Sequence, residues 1–163
     1  MRNGEKGIIV AMILSVVGLA VYKTVKHSAD VGPDPGIPYY STADPALITR
    51  AAKIMHANEC KLCHRLWGTR DLMQSVPAPP LDGIGTLKTE AWLYDYFSAE
   101  NPQSILPSRL KPQYRMPSLA KLTEAERRDL AAYMASLKVE DWYLEETKKA
   151  EHDALFGKTA PAK

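Results

Sequence analysis

Residues 60–64 read Cys60-Lys61-Leu62-Cys63-His64, and they hold the only two cysteines among 163 residues. Two sulfurs three positions apart, with an imidazole directly after them, suit three kinds of chemistry. A thioredoxin-like redox pair places Cys-x-x-Cys in an α/β setting, but no segment here has the sustained alternation of strands. A structural zinc site wants four nitrogen or sulfur ligands, for which only His27, His56 and His152 remain beside His64. Covalent attachment of a c-type haem uses this spacing. At the end of a helix, residues 60 and 63 share a face, so both sulfurs can add to vinyl groups of one porphyrin while His64 reaches the iron. That chemistry accounts for all three side chains.

The flanking sequence predicts short helices. Asp44 is an N-cap before Pro45 at the first helical position, and Leu47, Ile48, Ala51, Ala52 and Met55 recur at helical spacing, so one helix is expected to run into the cysteines. Pro77, Pro79, Pro80, Gly83 and Gly85 then impose an irregular connection. Thr89 caps a second helix with Trp92, Leu93, Tyr96 and Phe97 on one face. Residues 101–118 form a loop broken by prolines. Thr123 and Glu126 make a capping box for a last core helix carrying Leu130, Tyr133, Met134 and Leu137. So few helices over residues 45–138 enclose little core of their own, and something large and apolar is expected to fill it. Beyond Lys138 a tail, residues 139–163, has a weak helical pattern with a Glu145 to Lys149 pair.

Charge and length set the class. One ordinary domain plus tails fits 163 residues. Lys and Arg number 21 against 19 Asp and Glu, too even a balance for a protein that neutralises many phosphates, so no nucleic-acid partner is expected. Residues 1–29 carry four bases (Arg2, Lys6, Lys23, Lys26) and one acid (Glu5). The remainder is nearly neutral.

Residues 7–22, GIIVAMILSVVGLAVY, lack charge. As a helix they span roughly 24 Å, short of a ~30 Å hydrocarbon core, with Lys6 and Lys23 able to snorkel and Tyr22 suited to the headgroups. Residues 1–27 are read as an uncleaved single-pass anchor. The competing reading is a signal peptide cleaved after Gly18-Leu19-Ala20. Residues 28–44, with Pro33, Pro35, Pro38, Gly32 and Gly36, form an extended linker.

With these motifs in order, residues 45–138 resemble a class I cytochrome c domain: Cys-x-x-Cys-His on the first helix, a Pro-x-Leu-x-Gly segment at Pro79-Pro80-Leu81-Asp82-Gly83, an aromatic helix, Met116-Pro117, and a C-terminal helix. The resemblance implies an all-α fold of three to four short helices and long loops around one covalent haem c, joined here to an N-terminal transmembrane helix. It assigns the Pro79 carbonyl as acceptor of the His64 imidazole N–H, a bond that fixes the tautomer and raises ligand basicity. It likens Trp92 to an aromatic that bonds a haem propionate, with simple core packing as the other reading. For the sixth ligand, Met55 and Met134 sit on apolar helix faces and Met73 follows the motif closely, whereas Met116 lies in a loop before a proline, as in the family. The expected iron ligands are therefore His64 and Met116, with His152 as the rival to Met116. Arg65, Leu66, Ala52 and His56 depart from common family residues. Ala52 stands where the first helix often has glycine at its crossing with the last.

Imidazole and thioether together leave iron no open position, which suits electron transfer rather than catalysis. The expected function is that of an electron carrier, not an enzyme, on the periplasmic side of a bacterial cytoplasmic (inner) membrane. Its partners would be redox proteins of a respiratory or other electron-transport chain. The alternative is an integral haem subunit of a larger membrane oxidoreductase, docked through Trp142, Tyr143 and Phe156. Between residues 50 and 121 ten bases outnumber six acids, which allows a weakly basic surface that steers to an acidic partner.

Overall fold

The computed structural model describes residues 3–30, 36–69, 76 and 78–157, in two compact units, Met1–Ile37 and Pro38–Lys163. The first unit is a 28-residue helix, α1 (Asn3–Asp30), whose Ile8, Ile13, Leu14, Val17, Leu19 and Val21 are exposed. Among the described residues no helix is long and apolar enough to cross a membrane. This corrects the expected span, and the reason is in the sequence: Lys6 and Lys23 close the uncharged run several ångströms short of a hydrocarbon core.

In the second unit, β1 (Tyr39–Ser41) leads to α2 (Pro45–Ala57). The Asp44 carboxylate accepts the Leu47 N–H at 2.9 Å, as the capping signal predicted. The helix does not run into the cysteines. The Ile54 carbonyl accepts both the Asn58 backbone N–H at 3.1 Å and the Asn58 side-chain amide at 2.8 Å, the Glu59 N–H turns to the His56 carbonyl at 3.1 Å, and Glu59 is left-handed at φ 52°. Cys60–Leu62 then form a separate 3-10 turn.

After the proline-rich connection come α3 (Ile84–Leu87), a single turn, and α4 (Glu90–Ser98), capped by the Thr89 hydroxyl on the Trp92 N–H at 3.2 Å. The last core helix, α5 (Glu124–Ser136), begins with the predicted Thr123–Glu126 capping box. The core gathers Ile54, Met55, Leu93, Phe97, Leu130 and Met134 between α2, α4 and α5. At the packing of α2 on α5 the fully buried small residues are Ala51 and Ala131, while Ala52 is exposed. The expected crossing residue is thus displaced by one position.

β2 (Leu137–Val139) pairs antiparallel with β1, Tyr39 opposite Val139 and Ser41 opposite Leu137. Three-residue strands are too short for alternation to show in sequence. The tail folds as α6 (Leu144–Phe156), with Thr147 buried. Glu145 pairs with Lys148 at 2.8 Å rather than with Lys149, whose partner is Asp153. Tyr143 packs edge-on to Tyr39 with ring centroids 5.6 Å apart, whereas Trp142 and Phe156 are exposed.

Candidate functional site

A 3-10 turn eclipses positions i and i+3, so the turn at residues 60–62 gives Cys60 and Cys63 the common side that a helix end was expected to give. The Cys63 and His64 N–H groups both donate to the Cys60 carbonyl, at 3.3 and 2.9 Å, which fixes the imidazole directly after the sulfurs. His64 Nδ1 lies 2.7 Å from the Pro79 carbonyl oxygen. A carbonyl only accepts, so Nδ1 carries the proton and Nε2 keeps its lone pair. Burial pushes the His64 pKa below its ordinary value, with the bond to Pro79 opposing, and a neutral imidazole is the ligand form. Burial pushes the Cys60 thiol up. A redox-active cysteine is tuned the opposite way, which argues against the thioredoxin-like reading.

Pro79 is held in place by the loop that follows the motif. The Leu81 N–H donates to the Arg65 carbonyl at 2.9 Å. Asp82, almost wholly buried, accepts from Arg65 Nε at 3.0 Å and from the Gly68 N–H at 3.2 Å. Leu66 and Thr69 exchange backbone bonds, and Trp67 and Gly68 at the tip are both left-handed, φ 56° and 66°. Asp82 is a positioning residue absent from the sequence-level list. Its signal was present: it is a lone acid between Leu81 and Gly83, in the segment expected to face His64, with Arg65 just after the motif.

These elements surround one cavity of about 390 Å³, within the range of ligand and cofactor sites. Cys60, Cys63, His64, Pro79, Trp92 and Met116 all line it, together with apolar groups including Phe97, Leu119 and Met134. The structure therefore brings together every site residue expected from sequence. Gln103 Nε2 donates to the Met116 carbonyl at 2.9 Å and the Ser118 hydroxyl to the Ala99 carbonyl at 2.9 Å, tying the Met116 loop to the end of α4. Trp92 stacks on Tyr96, with centroids 5.2 Å apart and planes at 10°, and the Lys88 ammonium lies 5.2 Å from its ring. Met134 is both core and cavity wall, while Met55 belongs to the core alone. His56 is exposed on α2, and His152 is exposed beside Phe156, neither lining the cavity. Met73 and the side chain of His27 lie outside the described residues. Among the described residues no group of three or more His, Cys, Asp or Glu is placed to hold a metal ion. An apolar cavity with two thiols and a neutral imidazole on its wall fits the polarity and donor set of a covalently held haem.

A family model described as Cytochrome c matches residues 48–138, more than half of the chain. No curated protein and no solved structure matches it.

Proposed function

The chain belongs to the cytochrome c family, whose members carry a covalently attached haem c and serve haem-based electron transfer, and on that premise we propose that it is an electron carrier with His64 and Met116 as iron ligands. The haem supplies a one-electron ferric/ferrous couple. Cys60 and Cys63 tether it. His64 offers Nε2, oriented by its bond to Pro79, and Met116 offers a thioether from the loop that Gln103 holds. The apolar wall excludes water, and a filled coordination shell disfavours the binding of oxygen or peroxide, so a carrier is preferred over an enzyme. The observation that carries this reading is the convergence of Cys60, Cys63, His64 and Met116 on one cavity that His56 and His152 do not reach.

Met116→His and Met116→Ala test the ligand set. Thioether sulfur donates weakly to ferric iron and favours the ferrous form, so Met116→His should stay low-spin and lower the potential. Met116→Ala should open the iron to cyanide or carbon monoxide. Unchanged spectra and potential in both variants would rule Met116 out.

The working site in this proposal is the periplasmic face of a bacterial inner membrane, with α1 as the tether. Supporting this are the exposed apolar side chains along α1. Lys61, Arg109, Lys111 and Arg115 are exposed and suit an acidic redox partner. The exposed Trp142 and Phe156 favour a second reading, a subunit of a larger oxidoreductase. Mild solubilisation followed by size analysis separates the two: co-purifying subunits of fixed stoichiometry would establish the second.

A further inference from the structure

α6 lies beyond the residues the family model matches, yet its Glu151 and Leu155 line the same cavity as His64 and Met116. Two segments of the domain hold it there. The Lys88 ammonium pairs with the Glu151 carboxylate at 3.2 Å, their side chains only 25% and 18% exposed, and the same ammonium sits over Trp92. From the loop that carries Met116, Arg109 donates to the Asp153 carbonyl at 3.5 Å. Buried Thr147 anchors the start of the helix against the domain: a Cβ on Gly83 would lie 3.2 Å from its methyl group.

We propose that α6 is a wall of the haem pocket, in which Leu155 keeps water from the haem and the Lys88–Glu151 pair keeps Leu155 in place. The oxidised iron carries one more positive charge than the reduced iron, and water stabilises that charge. A wall that removes water therefore raises the potential. Leu155, Glu151 and Lys88 act here as positioning residues. The proposal rests on the cavity holding haem, and it stands whichever side chain takes the sixth position.

The test uses the haem-loaded full chain. Lys88→Gln with Glu151→Gln removes one charge of each sign and leaves the net charge unchanged. Trypsin cleavage after the exposed Lys148 and Lys149 reads release of the helix, and a voltammetric midpoint reads the haem. Cleavage about fivefold faster than in wild type, the effect of losing a partly buried pair on local opening, together with a lower midpoint, is the expected result. Faster cleavage at an unchanged midpoint would overturn the proposal. Leu155→Ala, which leaves the charges intact, should lower the midpoint by itself, and an unchanged midpoint there would also overturn it. Failure of the His64/Met116 reading would show instead in the wild-type spectrum, independently of these differences.

Discussion

Asp82 and Arg65 form a buried ion pair, carboxylate to guanidinium at 3.0 Å, that locks the segment carrying the His64-orienting carbonyl onto the loop after the cysteines. Two residues outside the cavity lining thereby orient the imidazole. The Asp82 side chain is 1% exposed and that of Arg65 26%, so the carboxylate is the partner that depends on the pair.

Asp82→Ala should therefore cost about 3 kcal/mol, the low end for breaking a buried pair, because Arg65 can turn partly to water. It also strips the Gly68 N–H of its acceptor. Asp82→Asn retains an acceptor oxygen and should lose less. Urea unfolding of the haem-loaded protein measures both, and equal stability of Asp82→Ala and wild type would show that the clamp contributes nothing.

Gly85→Ala should be still more severe. A Cβ at residue 85 would lie 2.0 Å from the Ala135 carbonyl oxygen, and backbone cannot step aside as a flexible side chain can. A loss of about 3 kcal/mol or more is expected, at or beyond the upper end for overpacking. Gly18→Ala, with nothing within 4 Å, is the matched control and should leave the domain's unfolding midpoint unchanged.

The contrast between those sites and the helix caps explains what could be read from sequence. Asp44 with Pro45, and Thr123 with Glu126, act on backbone groups within three residues, so their signals are local and their helices start where expected. The stop of α2 comes with the left-handed turn at Glu59, whose N–H goes to the His56 carbonyl, and no periodicity reports it. Ala51 and Ala52 differ by about 100° around a helix, so an apolar pattern without a partner helix could not choose between them. β1 and β2 lie almost a hundred residues apart and α6 meets the cavity only through tertiary packing, so neither contact leaves a local trace. The site was legible because Cys60, Cys63 and His64 are contiguous and Met116 precedes a proline in a loop. Asp82 left a weaker signal, a lone acid between Leu81 and Gly83, because its partner Arg65 lies across the connection.

Acid should weaken the fold through carboxylates that are paired in the native state. The Arg128 guanidinium holds Glu124 below its usual value, the Thr123 backbone N–H does so for Glu126, and Arg50 does so for Asp129. With folded values below unfolded ones, their stabilisation is present above the ordinary carboxylate range and is lost as pH falls through the folded values. The urea midpoint should be flat from neutral pH to about 5 and decline below about 4. Glu126→Gln should make that decline shallower, and high salt should shrink it further, since these groups are exposed.

Membrane attachment through α1 predicts that the protein stays with membranes through high-salt washing, with a mass that includes residues 1–20. Leu14→Lys with Val17→Lys places two charges among the exposed apolar side chains of α1 and should shift the chain to the soluble fraction. A soluble wild-type chain beginning at Val21 would establish cleavage of a signal peptide instead.

Covalent attachment makes the sharpest prediction about the cysteines. Each thiol adds across one vinyl group, forming a carbon–sulfur bond that survives denaturation, so the acid-denatured chain should be heavier by one haem and keep its visible absorbance. Cys60→Ala or Cys63→Ala leaves one vinyl conjugated with the ring, so either variant should remain pigmented with its ferrous band moved to longer wavelength. The double variant should release all pigment into acidic acetone, because His64 and a sixth ligand hold iron only while the fold holds them. Cys60 and Cys63 lie on one turn and line one cavity, so the two single variants should behave alike. Release of the wild-type pigment into acidic acetone would mean that neither sulfur is bonded and that the haem, if held, is held by ligation alone.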